Sequence, residues 1–265
     1  NNKEFITLNI LQPSKLALLT LTLTLSFTQT VWADSLTDLQ QALVKLDGSH
    51  PVSGVLKVSF SESRGEGKDK KLKTGAIKST LSESMEGLDI RYSKDVLVQI
   101  AEENRLKLAD EEVDTPALNG AEILSASSLI PILSSAQKIL DAISKGKLRG
   151  ESQIEYFDQQ VRVLDFELPL DSFIDDKKTR GYVNKFKGSY KVLINDQGVP
   201  VETRLTYSGK GSAYLFFSMS AESEITSQFK VEGTRLVRIN KTVESNSSST
   251  FNDRTYSGSW TLALH

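Results

Sequence analysis

Apolar and polar residues alternate almost one for one through residues 186–264. Val201, Thr203, Leu205 and Tyr207 fall on one side of an extended chain, with Glu202, Arg204, Thr206 and Ser208 on the other. Period-two alternation makes strands with one dry and one wet face, as in an antiparallel sheet covered on a single side. Ser208-Gly209-Lys210-Gly211 reads as a reversal. Beyond it the pattern resumes with Ala213, Leu215, Phe217, Met219 and Ala221, and it keeps phase through Ile225, Phe229 and Val231. So long a dry face needs a cover.

The upstream chain supplies one. Ser35, with Asp38 three residues on, opens a helix whose Leu36, Leu39, Leu43 and Leu46 share a face, and Gly48 stops it. A strand follows with Val52, Gly54, Leu56, Val58 and Phe60 on one side, then a polar hairpin tip over 61–71. A second strand spans about 72–82, and a third carries Leu88, Ile90 and Tyr92. The period then changes. Residues 94–112 are helix formers, with Val96, Leu97, Ile100, Ala101 and Leu108 along one stripe, and Asp114-Thr115-Pro116 ends them. Over 121–145, Leu129, Ile132, Leu133, Ala136, Ile139, Leu140 and Ile143 recur at helical spacing, with Pro131 tolerated in a first turn if the helix begins near Ser127 or Ser128. A hairpin over 152–168 and a charged connector over 170–185 lead into the final meander. Strands that follow one another without crossover helices predict an antiparallel sheet. The expected fold is α+β: a strongly curved half-barrel of about nine strands, with an N-terminal helix and two or three helices on its concave face.

Near the start, Lys15 precedes a Leu/Thr-rich apolar run that ends in Val31-Trp32-Ala33. A basic flank, a short apolar core and a small-x-small site describe a secretory signal, cleaved between Ala33 and Asp34. Residues 1–33 are then a signal peptide and 34–265 a single α+β domain. The run is too short and threonine-rich to anchor a membrane, so the cleaved chain is expected not to be an integral membrane protein. It contains no cysteine, which excludes disulfides, thiolate sites and a lipidated N-terminal Cys, and suits a bacterial periplasm. A net charge of −2 argues against nucleic acid as a partner.

Candidate chemistry is sparse. The only histidines are His50, beside Pro51, and His265 at the end, so no histidine-based metal or acid–base site is expected. Ser135-Ala136-Gln137-Lys138 matches the S-x-x-K of serine acyltransferases, and Lys73-Thr74-Gly75 their K-T-G, but in the wrong order. Ser135 as the nucleophile of a hydrolase is the weakest reading. Asp110, Glu111, Glu112 and Asp114 read as a solvated helix end, since their spacing fits no calcium loop. No catalytic, metal or cofactor residue is assigned.

The Leu36–Leu46 helix followed by the Val52–Phe60 strand, within a helix–sheet–helices–sheet order behind an export signal, resembles the LolA/LolB-type periplasmic lipoprotein carriers. That resemblance implies internal helices forming a lid over a greasy cavity in a curved half-barrel. The segments 87–92, 114–116, 196–200 and 233–237 look like those of a class of secreted proteobacterial proteins, which implies a location and no activity. The expectation is a non-enzymatic periplasmic carrier or binding protein for a lipid or lipoprotein acyl chain. Its cavity would be lined by Leu129, Leu133, Ala136, Leu140, Val201, Leu205, Tyr207, Leu215, Phe217, Met219, Ile225, Phe229 and Trp260. The rival is a cell-envelope structural or interaction module with a filled core, whose partner is another envelope protein.

Overall fold

All ten strands join one open antiparallel sheet in the computed structural model, which describes residues 30–213 and 217–265, and their side chains except at 30–34, 68, 213 and 217. Helix α1 (Thr30–Lys45) leads into β1 (Val52–Arg64), β2 (Lys71–Ser84) and β3 (Gly87–Arg91). Four helices follow, α2 (Lys94–Ala109), α3 (Pro116–Glu122), α4 (Ala126–Leu133) and α5 (Ala136–Lys145). The hairpin β4 (Lys147–Tyr156) and β5 (Gln159–Glu167) precedes the short α6 (Lys177–Arg180). Then come β6 (Val183–Ile194), β7 (Pro200–Ala213), β8 (Phe217–Glu232), β9 (Arg235–Ser249) and β10 (Asn252–Leu264).

The spatial order is β3-β2-β1-β10-β9-β8-β7-β6-β5-β4. The chain lays down three strands outward from β1, crosses to the far edge through the helices, and returns strand by strand until β10 closes on β1. Residues in register share a face, and one row runs Val58–Trp260–Lys241–Ser227–Thr203–Val192–Leu164–Glu151. The next runs Phe60–Gly258–Val243–Ile225–Leu205–Tyr190–Phe166. These rows define an inner face, where the helices pack in two groups. Leu39 and Leu43 of α1 and Ile139 and Ile143 of α5 bury against Leu164, Phe166, Val192 and Ile194. Ala117 of α3 and Leu129, Ile132 and Leu133 of α4 bury against Val52, Leu56, Val58, Ile77, Leu81 and Leu262. Burying a side chain such as Leu39 contributes about 2 kcal/mol, so the two patches together hold the helices on the sheet.

Several expectations need correction. The open sheet has ten strands, against about nine expected. Gly209 and Gly211 do not reverse the chain: they lie within β7, paired with Ala221 and Met219 of β8. The 121–145 helix is broken at Ser134 and Ser135. Ser135 N donates to Leu236 O of β9 (2.8 Å) rather than back to Pro131 O, which accepts the Ser135 hydroxyl instead (2.7 Å), and Pro131 lies inside α4, past the first turn expected for it. Ser125 and Ser128 form the reciprocal capping box of α4. Ser35 is not a cap. Helix α1 already runs through it, and its buried hydroxyl donates to Glu151 Oε1 (2.6 Å) while accepting from Arg162 Nη1 (2.9 Å). The expected cleavage point, Ala33/Asp34, lies early in α1, and residues 1–29 of the expected signal lie outside the described residues. No described helix is long and apolar enough to cross a membrane.

Candidate functional site: the uncovered middle of the inner face

Two groups of helices cover the two ends of the sheet. Between them the inner-face positions of β7 and β8 are roofed only in part, and two cavities open there, one apolar and one cationic.

The first, of about 250 Å³, lies between the 170–183 connector and β6–β8. Its walls are Leu170, Phe173, Ile174, Val183, Phe186, Tyr207 and Met219, and its floor is Gly209, Gly211 and Ala221. Phe173 is the keystone, with its ring 5.1 Å from Phe186 and 5.0 Å from Tyr207, both tilted. It can sit there because Gly188 beneath it has no side chain: a Cβ would lie 2.9 Å from Phe173 Cε2 and from Leu168 O. The connector is held by the Asp176 carboxylate, which accepts from Thr179 N (2.6 Å), and by Arg180 Nη1, which donates to Ile174 O and Asp175 O, both at 2.7 Å. A period-two strand carries bulky residues at alternate positions, so glycine at 209 and 211 leaves a trough where side chains would otherwise fill the space.

The second cavity, of about 110 Å³, lies two residues along the same face of β7. Leu205 lines it, whereas Tyr207 lines the apolar groove, and that step along a strand is roughly 7 Å. Ser135, Lys138 and Ile139 enter from α5, Tyr190, Thr203 and Ser227 from the sheet, and Arg238 and Lys241 from β9. A bulge brings the last two together. Gln228 pairs with Asn240 but Phe229 with Arg238, so Ile239 is the extra residue, and Arg238 and Lys241 face the same way despite their odd spacing.

No acid lines this pocket. Among the described residues, no ion pair joins Lys138, Arg238 or Lys241 to a carboxylate, and the buried Nε of Arg238 has no hydrogen-bond partner. Burial, opposed only weakly by Tyr190, lowers the Arg238 guanidinium to about 10. Burial first, then the positive charges of Arg238 and Lys138, lowers Lys241 to about 8. Lys138, exposed at the mouth, is also lowered, by partial desolvation first and then by the charge of Arg238. Desolvation keeps the Tyr190 phenol protonated far above neutrality. Lys241 Nζ stands 4.6 Å from the Trp260 ring centroid, a favourable aromatic contact.

The expected cavity residues are dispersed by this arrangement. Leu129, Leu133 and Trp260 belong to the core patch under α4, and Ala136 and Leu140 to the patch under α5, where side chains fill the space between helices and sheet. Leu205, Ile225 and Phe229 line the cationic pocket, and Tyr207 and Met219 the apolar groove. Val201 leaves the set. The irregularity between Leu193 and Ile194 turns it to the opposite face, where it packs on Val161, Val163 and Leu193. Leu215 and the side chain of Phe217 lie outside the described residues. Ser135 and Lys138 share the cationic pocket, but the Ser135 proton is committed to Pro131 O. Lys73-Thr74-Gly75 is structural, with Thr74 Oγ1 donating to Asp114 Oδ2 (2.5 Å). Sequence reasoning missed the cationic trio, because simple alternation places Arg238 and Lys241 on opposite faces. Compared with protein-family models, curated proteins and solved structures, the chain matches none.

Proposed function

We propose that this chain is a non-enzymatic binding or carrier protein that holds an acyl chain in the groove beneath Phe173, in the periplasm of a Gram-negative envelope, within a half-barrel of the lipoprotein-carrier kind. The observation that carries this reading is the groove itself, an apolar trough walled by Phe173, Phe186, Tyr207 and Met219 over a floor of Gly209, Gly211 and Ala221. At roughly 30 Å³ for a group the size of a water or methylene, about 250 Å³ admits some eight carbons. Eight methylenes at about 0.8 kcal/mol each give about 6 kcal/mol before the costs of association, so the chain is held no more tightly than tens of micromolar. Such a grip suits a ligand that is loaded and passed on.

A second reading has its own support. Helix α2 presents Leu97, Val98 and Leu108 to solvent at 53%, 61% and 84% exposure, as an envelope interaction module with a filled core would. The two are separated by measuring uptake of a fluorescent twelve-carbon fatty acid by the wild-type chain and by Gly209→Leu. A Cβ at 209 meets only Lys185 O and Phe186 Cδ2, both at 3.7 Å, so the leucine fits the strand and fills the groove. Saturable uptake that falls at least tenfold in the variant supports the carrier. Absent uptake, or uptake equal in both proteins, overturns it in favour of the interaction module.

A further inference from the structure

We infer that Lys138, Arg238 and Lys241 form a binding site for a phosphate-type oxyanion. Three cations from two elements converge on one cavity that no carboxylate lines. Withdrawing even part of a guanidinium from water without a counter-charge or hydrogen-bond partner is costly, and half-buried Arg238 keeps its Nε buried and unbonded. Folded proteins pair nearly all such groups. The missing partner is therefore an anion brought by the ligand.

Size and donors define its class. A cavity of about 110 Å³ has room for three or four water-sized groups, which suits a tetrahedral oxyanion better than a bulkier acid. Arg238 offers a planar fork, Lys138 and Lys241 are mobile point charges, and the Ser227 and Thr203 hydroxyls stand on the same wall. Helix α5 begins at this wall with no side chain capping its first turn, which places the positive end of its dipole beside the cations.

This site uses different residues from the apolar groove and stands or falls apart from it. Should both hold, the two cavities along the Leu205–Tyr207 face select one amphiphile, with a phosphate head among the cations and a chain toward Phe173.

The test uses the purified chain in phosphate-free buffer at pH 7 and three probes: inorganic phosphate, 1-lauroyl lysophosphatidic acid and monolauroylglycerol. Calorimetric titration is run on the wild type, on Lys138→Gln, and on the pair Arg238→Gln/Lys241→Met. Folding of the double variant is checked by its cooperative thermal unfolding, and Lys138→Gln alters only an exposed mouth residue, which keeps the test readable if the double variant fails. Binding of either phosphate compound, weakened about threefold or more in Lys138→Gln and at least tenfold in the double variant, supports the site. Lysophosphatidate binding tenfold or more above phosphate identifies a lipid head, whereas equal affinities identify free phosphate; both outcomes support the site. No binding of phosphate compounds, or affinities unmoved by the variants, overturns it. Monolauroylglycerol binding as tightly as lysophosphatidate overturns the anion site while leaving the acyl groove standing.

Discussion

The Lys241 ammonium stands 4.6 Å from the Trp260 ring centroid, and the two residues are direct partners in the ladder between β9 and β10. A cation over an indole face is stabilised by about 0.5–1 kcal/mol at an exposed site and more when desolvated. That only partly offsets the burial and the repulsion from Arg238 and Lys138 that lower Lys241 to about 8. Below pH 8 the ammonium is charged in both folded and unfolded chains, and the folded state carries the full penalty. Between about 8 and 10.5 the folded state sheds its proton first, so the unfolded chain binds more protons and stability rises with pH. In phosphate-free buffer at pH 7, Lys241→Met is therefore expected to stabilise the protein by on the order of 2 kcal/mol. Urea denaturation should show this gain shrinking as pH passes 8. In the chain without Trp32, Trp260 emission should titrate with a midpoint near pH 8, and that titration should vanish in Lys241→Met.

Neighbouring glycines on β7 should respond in opposite ways. A Cβ at Gly211 would lie 2.6 Å from Tyr182 O and 3.3 Å from Met219 Cγ, whereas one at Gly209 meets nothing closer than 3.7 Å. Gly211→Ala forces the connector away from the strand and is expected to destabilise by about 1–3 kcal/mol. Gly209→Ala should be neutral or slightly stabilising, since alanine narrows the unfolded ensemble. Thermal unfolding of the two variants side by side checks the contrast.

Arg162 should act as the latch of the first helix. From β5 it donates Nη1 to Asp38 Oδ2 and Ser35 Oγ, both at 2.9 Å, and Nη2 to Asn195 O (3.4 Å) and Asp196 O (3.3 Å). Its side chain is 17% exposed, against 43% for Asp38, so the pair is only partly screened. Arg162→Ala is expected to cost about 2 kcal/mol and to speed amide exchange in α1 more than in β1. Equal acceleration in both elements would mean the arginine supports the whole fold rather than the helix.

Much of the architecture was legible from residue types in order. The alternation of Thr203, Leu205 and Tyr207 marks one face of the sheet, and these three do point inward. The helical spacing of Leu39 and Leu43 and of Ile139 and Ile143 marks two stripes that bury together. Pattern reading failed where one residue breaks a period. Ile239 as a bulge turns Arg238 inward, and Val201 at another irregularity turns outward. Glycine was ambiguous in the same way, because Gly209 and Gly211 permit a turn but also permit an empty strand floor.

Local chemistry thus determined the α+β class, the antiparallel run and which stripes are apolar, since periodicity is a property of adjacent residues. Tertiary structure alone decided the placing of Lys138 beside Arg238 and Lys241, a hundred residues along the chain, and of Phe173 over Gly188. Charge convergence and empty volume arise only when distant segments pack, because each depends on what the neighbouring element fails to supply: a carboxylate in one cavity, a side chain in the other.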